Sequence, residues 1–168
     1  MHDALAIHDA YRRGDLEALK RLLGDPPAFP NCRGPAGVGE IILEYAICHG
    51  PLAFIRTLLE HGADPNYQDH AGFPSLIAAL STDRADRHQI IELLLAFGAD
   101  IQEHGVNDWT PLHYAAANDD LDGIRLLLAR GADPNARTRI DERTTPLEET
   151  EHLDRTAAAR VLRKMGRG

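Results

Sequence analysis

Chemistry that depends on rare residue types has little to work with in this chain. Of 168 residues, two are cysteine, one is tryptophan and two are serine, Ser75 and Ser81. Cys32 and Cys48 alone make no disulfide framework, so stability has to come from packing. Positive charge is also short: 18 Lys+Arg face 26 Asp+Glu, a formal net charge of −8. A field of that sign repels phosphate and argues against nucleic acid or an anionic membrane surface as partner. No apolar run nears the roughly 20 residues of a membrane span. The start, Met1-His2-Asp3-Ala4, has neither the basic nor the apolar stretch of a secretory signal, and the expected location is the cytoplasm.

Catalytic and cofactor motifs are missing as well. Neither serine sits in a Gly-x-Ser-x-Gly elbow. There is no Gly-x-x-x-x-Gly-Lys-Ser/Thr loop and no Gly-x-Gly-x-x-Gly turn; Gly37-Val38-Gly39 opens no nucleotide-binding unit. His-Glu-x-x-His and Cys-x-x-Cys are absent. Nine histidines are present, but their spacing follows a longer period than a ligand cage. The pattern predicts no catalytic residue, no cofactor and no metal. The competing enzyme or metal/small-ligand reading would draw on Cys48, His49 and His70, since a thiolate beside an imidazole is a chemically competent pair.

What the chain does have is self-similarity. Leu58-Leu59-Glu60-His61-Gly62-Ala63-Asp64-Pro65-Asn66 recurs as Leu94-Leu95-Ala96-Phe97-Gly98-Ala99-Asp100-Ile101-Gln102 and again as Leu127-Leu128-Ala129-Arg130-Gly131-Ala132-Asp133-Pro134-Asn135. The aspartates are 36 and 33 residues apart. A second element, Thr110-Pro111-Leu112-His113-Tyr114-Ala115-Ala116, leads its unit, with weaker copies at 41–47, 74–80 and 145–150. Thr110 is a good helix N-cap, and Pro111 suits a first turn, where its missing N–H is no loss. Leu121, Ile124, Leu127 and Leu128 fall at helical spacing, and Gly131 follows where a helix ends in the left-handed region.

These two motifs and the period near 33 closely resemble ankyrin repeats. The resemblance implies an all-α solenoid of helix–turn–helix pairs with short β-hairpin fingers, in about five units: an N-terminal cap at 1–30, repeats at 31–66, 67–102 and 103–135, and a C-terminal cap at 136–168. It implies one domain over 1–168. It also implies that His113, and His8 at the same register, tie a helix start to neighbouring backbone. A single unit cannot bury its own apolar stripe, so neighbours must supply the core.

Departures from the period mark candidate surfaces. Ala46 to Leu59 and Ala115 to Leu128 are each 13 apart, but Ala79 to Leu95 is 16, and the extra length falls within 81–87. That segment reads as a solvated loop or as a binding element. The finger at 31–39 carries three Gly and one Pro and reads as irregular. The finger at 137–143 is basic within an acidic chain and suits either a solvated tip or an acidic partner patch. Glu148, Glu149 and Glu151 read as acids enriching the first turns of a helix, favourable to its dipole.

The resemblance further implies binding through finger tips and the inner face of the first helices. Carried over residue by residue, the candidate partner-binding residues are Gln68, His70, Phe73, Ser81, Thr82, His104, Val106, Asn107, Trp109, Ala117, Asn118, Arg139, Glu142 and Arg143. Trp109 and Phe73 stand at equivalent finger positions, where an aromatic serves either as interface anchor or as packing between fingers. The expected function is non-catalytic protein–protein binding by a monomer. The compactness looks bacterial and suggests a stand-alone adaptor, or an inhibitor or immunity-type protein covering the active site of a basic enzyme such as a nuclease.

Overall fold

The computed structural model of the chain describes residues 4–34, 41–66, 73–140 and 142–166, without the side chain of Val106. It divides into two compact units, Met1–Ala99 and Asp100–Gly168. Unit 1 holds α1 (Ala4–Arg13), α2 (Leu16–Leu22), α3 (Ile42–His49), α4 (Leu52–Glu60), α5 (Ser75–Leu80) and α6 (Arg87–Ala96). Unit 2 holds a tight turn at Val106–Asp108, then α7 (Pro111–Ala117), α8 (Leu121–Ala129), α9 (Pro146–His152) and α10 (Thr156–Met165). The described residues thus form five antiparallel helix pairs. The expected hairpin fingers contain no strand among the described residues; Arg33 and Ile41 form one isolated antiparallel bridge. The irregular-finger reading for 31–39 falls largely outside the described residues.

Each pair forms because its sequence stops one helix and starts the next within a few residues. Thr110 accepts the N–H of His113, and the His113 side chain returns a bond to the Thr110 backbone N–H, closing a capping box at the start of α7. Thr145 and Glu148 repeat this at α9, with the Thr145 N–H donating to Glu148 at 2.7 Å. Asp120 caps α8 by accepting from the Gly123 N–H at 3.0 Å. The second helix of each central pair ends on a glycine in the left-handed region, with φ near 90° at Gly62, Gly98 and Gly131.

Apolar stripes meet between pairs. In unit 1, first helices pack α1 on α3 and α3 on α5, and second helices pack α2 on α4 and α4 on α6. Ile7, Ile42, Ile47, Phe54, Ile55, Leu58, Ile77, Ile90 and Leu94 are buried there. In unit 2, α7 packs on α9 and α8 on α10. Leu112, Ala115, Ala116, Ile124 and Leu127 are fully buried, and the two alanines let the helix backbones approach closely. On α10, Ala158, Ala159 and Leu162 face the core while Arg160, Arg163 and Lys164 are exposed, the polar outer face a terminal pair needs.

A ladder of amide side chains joins neighbouring pairs. Asn31 donates to the Gly62 carbonyl at 2.9 Å and accepts the Asp64 N–H at 2.8 Å. Asn66 donates to the Gly98 carbonyl at 2.8 Å. Gln102 stands at the same place in unit 2 and reaches the Gly131 carbonyl only at 3.5 Å. The aspartate two residues ahead folds the chain back each time: Asp64, Asp100 and Asp133 accept the N–H of residues 66, 102 and 135 at 2.8–2.9 Å.

The insertion at 81–87 is tied back onto the end of α3 by Arg84. Arg84 grips both oxygens of Asp86 at 2.8 and 2.7 Å, and its Nη1 donates to the carbonyls of Ile47 and Gly50 at 3.1 and 2.5 Å. Those carbonyls close the C-terminal end of α3, where positive charge suits the helix dipole. Arg155 does the same in unit 2, with Nε donating to the Ala117 carbonyl at the end of α7 at 2.8 Å.

Candidate partner-binding surface

The finger of unit 2 that precedes α7 turns on two residues in the left-handed region, Asn107 and Asp108, both at φ 58°. Asn and Asp tolerate that region best after glycine, and two in succession reverse the chain tightly. The Gly105 N–H donates to the Trp109 carbonyl at 2.8 Å and closes the turn. Asp108 then points inward, its side chain only 8% exposed. It accepts from Arg139 Nε at 2.9 Å, from Arg139 Nη2 at 2.5 Å and from the Arg139 backbone N–H. His104 Nδ1 donates to the Asp108 carbonyl at 2.8 Å and lies 3.2 Å from its carboxylate. Burial pushes the Asp108 carboxyl up, but the Arg139 bonds and the neighbouring cationic groups push it down further, and it settles below the usual carboxylate range.

The next finger is held back in the same way. The Thr138 N–H donates to the Thr144 carbonyl at 3.0 Å. Arg137 donates to the Arg143 carbonyl at 2.7 Å and to Glu148 at 3.1 and 3.4 Å. Glu148 lies below its ordinary range, chiefly through the Thr145 N–H. Two of the three arginines in the basic finger are therefore spent on acids of the same unit, which weakens the reading of that finger as a receiver of acidic partners.

Between the two fingers and α9 lies an open groove of about 640 Å³, lined by Asn107, Trp109, Thr138, Ile140, Glu142, Thr144, Glu149 and His152. Trp109 is half-buried and Ile140 is 51% exposed. Glu149 accepts from the Thr144 hydroxyl at 2.8 Å. Glu142 lies 3.5 Å from His152. Beneath the groove sits His113, fully buried, with Nε2 donating to the Thr144 carbonyl at 3.0 Å and Nδ1 accepting from the Thr110 hydroxyl at 2.8 Å. A carbonyl only accepts, so the proton sits on Nε2.

The expected contact residues scatter. Asn107, Trp109 and Glu142 come together in this groove. Arg139 and His104 instead hold Asp108, and Arg143 is exposed on its finger. Phe73 is exposed in unit 1, while the Ser81 and Thr82 hydroxyls turn back to the Ala78 and Ala79 carbonyls at 2.7 and 2.9 Å. Asn118 is exposed, and its amide donates to the Tyr114 carbonyl at 2.8 Å. Ala117 is a correction: it is buried at 5% exposure, in the last turn of α7 whose carbonyl Arg155 covers, and has no surface to offer. Gln68, His70 and the side chain of Val106 lie outside the described residues. Sequence reading missed Ile140, Glu149 and His152. The available signal was Ile140, the one apolar side chain in the run Arg137–Arg143.

Unit 1 carries an aromatic–imidazole cluster across α1, α3 and α4. His8 Nδ1 meets the Tyr45 hydroxyl at 2.8 Å; the backbone that stands to His8 as Thr144 stands to His113 lies outside the described residues. The His49 ring lies 4.4 Å from Tyr45 and 5.2 Å from His8, centroid to centroid. Among the described residues no three His, Cys, Asp or Glu gather as metal ligands, and no helix is long and apolar enough to cross a membrane.

The family pattern described as ankyrin repeats, in three copies, matches residues 43–138. The chain belongs to the ankyrin-repeat family. It is 33% identical over 135 residues to ankyrin repeat protein nuc-2 of Neurospora crassa, covering 80% of this chain and 12% of that protein. It is 30% identical over 123 residues to alpha-latrocrustotoxin-Lt1a of Latrodectus tredecimguttatus, covering 73% and 8%. Human BCL-6 corepressor-like protein 1 is 30% identical over 130 residues, covering 77% and 7%. The chain thus spans about a tenth of the length of these curated relatives, which are eukaryotic and lend the bacterial reading no support. Ankyrin repeats generally bind other proteins and are typically non-catalytic.

Proposed function

We propose that this ankyrin-repeat chain is a non-catalytic binding module and that its partner protein docks on the groove of unit 2. The observation that carries this is the pairing of Trp109 with Ile140, an aromatic and an aliphatic side chain both reaching one open groove whose walls are otherwise polar. Aromatic anchors ringed by polar groups are the usual energetic centre of an interface. Capping boxes and the Asp108–Arg139 clasp fix the two fingers before contact, so docking orders little new backbone. The partner is a basic protein, as the net charge of −8 and the groove carboxylates favour, and the chain acts as a cytoplasmic monomer divided into the five units read from its period.

The test is comparative capture from lysate. W109A and I140D are expected to lose a protein that the parent chain retains, with circular dichroism and melting unchanged. R125A, on the exposed face of α8, serves as control and is expected to keep it. Equal capture by all four proteins would set the groove aside. An inhibitor role is the narrower form of the same reading. It calls for the captured partner's own activity to fall as the chain is titrated in.

A further inference from the structure

The geometry points to a lysine or arginine side chain of the partner as the occupant of the unit 2 groove, its cation held by Glu149 and Glu142 between Trp109 and Ile140. This rests on the groove being the docking site and names the chemistry it takes. Three observations converge on it. First, the described lining contains two carboxylates and no lysine or arginine. Second, two of the three arginines of the adjoining finger are committed elsewhere, Arg139 to Asp108 and Arg137 to Glu148, and the third, Arg143, is exposed and does not line the groove. Third, Glu149 meets no cation among the described residues, and the hydroxyl of Thr144 occupies one of its two oxygens. A half-buried carboxylate in that state gains from a charge-assisted bond that its own chain does not supply.

The walls fit the stem as the acids fit the head. Lysine and arginine bury an apolar stem and carry the charge at its tip, so they need an apolar flank leading to an anion. Ile140 supplies an aliphatic flank at the mouth. Trp109 supplies an aromatic wall whose negative face attracts a cation. His152 stands 3.5 Å from Glu142 at the rim. An acidic or purely aliphatic segment would leave Glu149 without a counter-charge and add to the anionic field.

Peptides selected from a random display library on the intact chain test this. Trp109 is the only tryptophan, so its fluorescence reports occupancy of the groove directly. Selected sequences are expected to carry arginine or lysine beside an aliphatic residue. Replacing that residue with uncharged citrulline or norleucine should weaken binding at least about tenfold, the scale of a hydrogen bond to a charged group. E149Q, which retains an acceptor for Thr144, should weaken the cationic peptide similarly and leave the neutral one almost unchanged; E142Q should do so to a lesser degree. Binders without a required cation, or cationic binders indifferent to E149Q and to the neutral replacement, overturn the inference. If those same binders are lost in W109A and I140D, the groove still docks a partner and only its cation chemistry is wrong. If no selected peptide perturbs Trp109, the groove reading falls with it.

Discussion

His113 shows how much one side chain decides. It spans from the start of α7 to the carbonyl of Thr144, so it locks the finger beneath the groove to the helix that carries Trp109's turn. Burial lowers its pKa below the ordinary histidine value; the Thr144 carbonyl and Glu149 push the other way and do not prevail. In the unfolded chain the imidazole takes a proton near pH 6.5, while the folded chain resists it to lower pH. Between those two values the unfolded state binds more protons. The contribution is therefore whole above about pH 6.5 and is lost as pH falls toward the folded value, by at most about 1.4 kcal/mol per pH unit. Denaturant titrations from pH 7.5 to 5.5 should show a steeper loss of stability for the parent than for H113Q; parallel slopes would mean that the buried ring does not titrate as described.

At the scale of elements, two contacts decide how well one helix pair grips the next. Arg84 turns the three-residue insertion into a staple on the end of α3. A bare tolerated loop would predict no effect of R84A on stability. The bonds to Ile47, Gly50 and Asp86 predict a loss of about 1–3 kcal/mol in chemical denaturation, with R84K restoring only part of it because a single ammonium lacks the fork. Gln102 is the weak rung of the amide ladder. Among the described residues its Oε1 is buried without a partner, and its amide reaches Gly131 at the limit of a hydrogen bond, where Asn31 and Asn66 make close ones. Q102N should stabilise the protein by about 0.5–1.5 kcal/mol, read as a higher melting temperature. No change, or a fall, would show that the longer side chain is not the cause of the weak rung.

Over the whole molecule, what could be read from sequence is what repeats, and what could not is what joins residues far apart without a period. Thr110-Pro111 and the glycine at 62, 98 and 131 announce helix starts and stops through local chemistry alone, and the helices begin and end there. The Asp-x-Asn copies read as turns, which they are, but the Asn66 amide also bridges 32 residues to the Gly98 carbonyl of the next pair. The clasp of Arg139 on Asp108 joins residues 31 apart with no motif at either end to announce it, so the finger at 137–143 reads from sequence as more basic than its free charge. Ala117 looked exposed because it follows the alanine pair; the arginine that covers its turn stands 38 residues later. The groove was half legible. Trp109 signalled itself by rarity, whereas Glu149 and His152 lie on a helix whose acids read as dipole partners, a role that Glu148 does fill. The net charge of −8 makes one global statement, that association with a basic partner should slow and weaken as salt rises. Hydrogen–deuterium exchange of the full chain, alone and with its captured partner, tests most directly whether the groove is where that partner lands. Protection is expected in residues 105–109 and 138–152 and not in α2 or α4; protection confined to unit 1, or absent from both fingers, would contradict it.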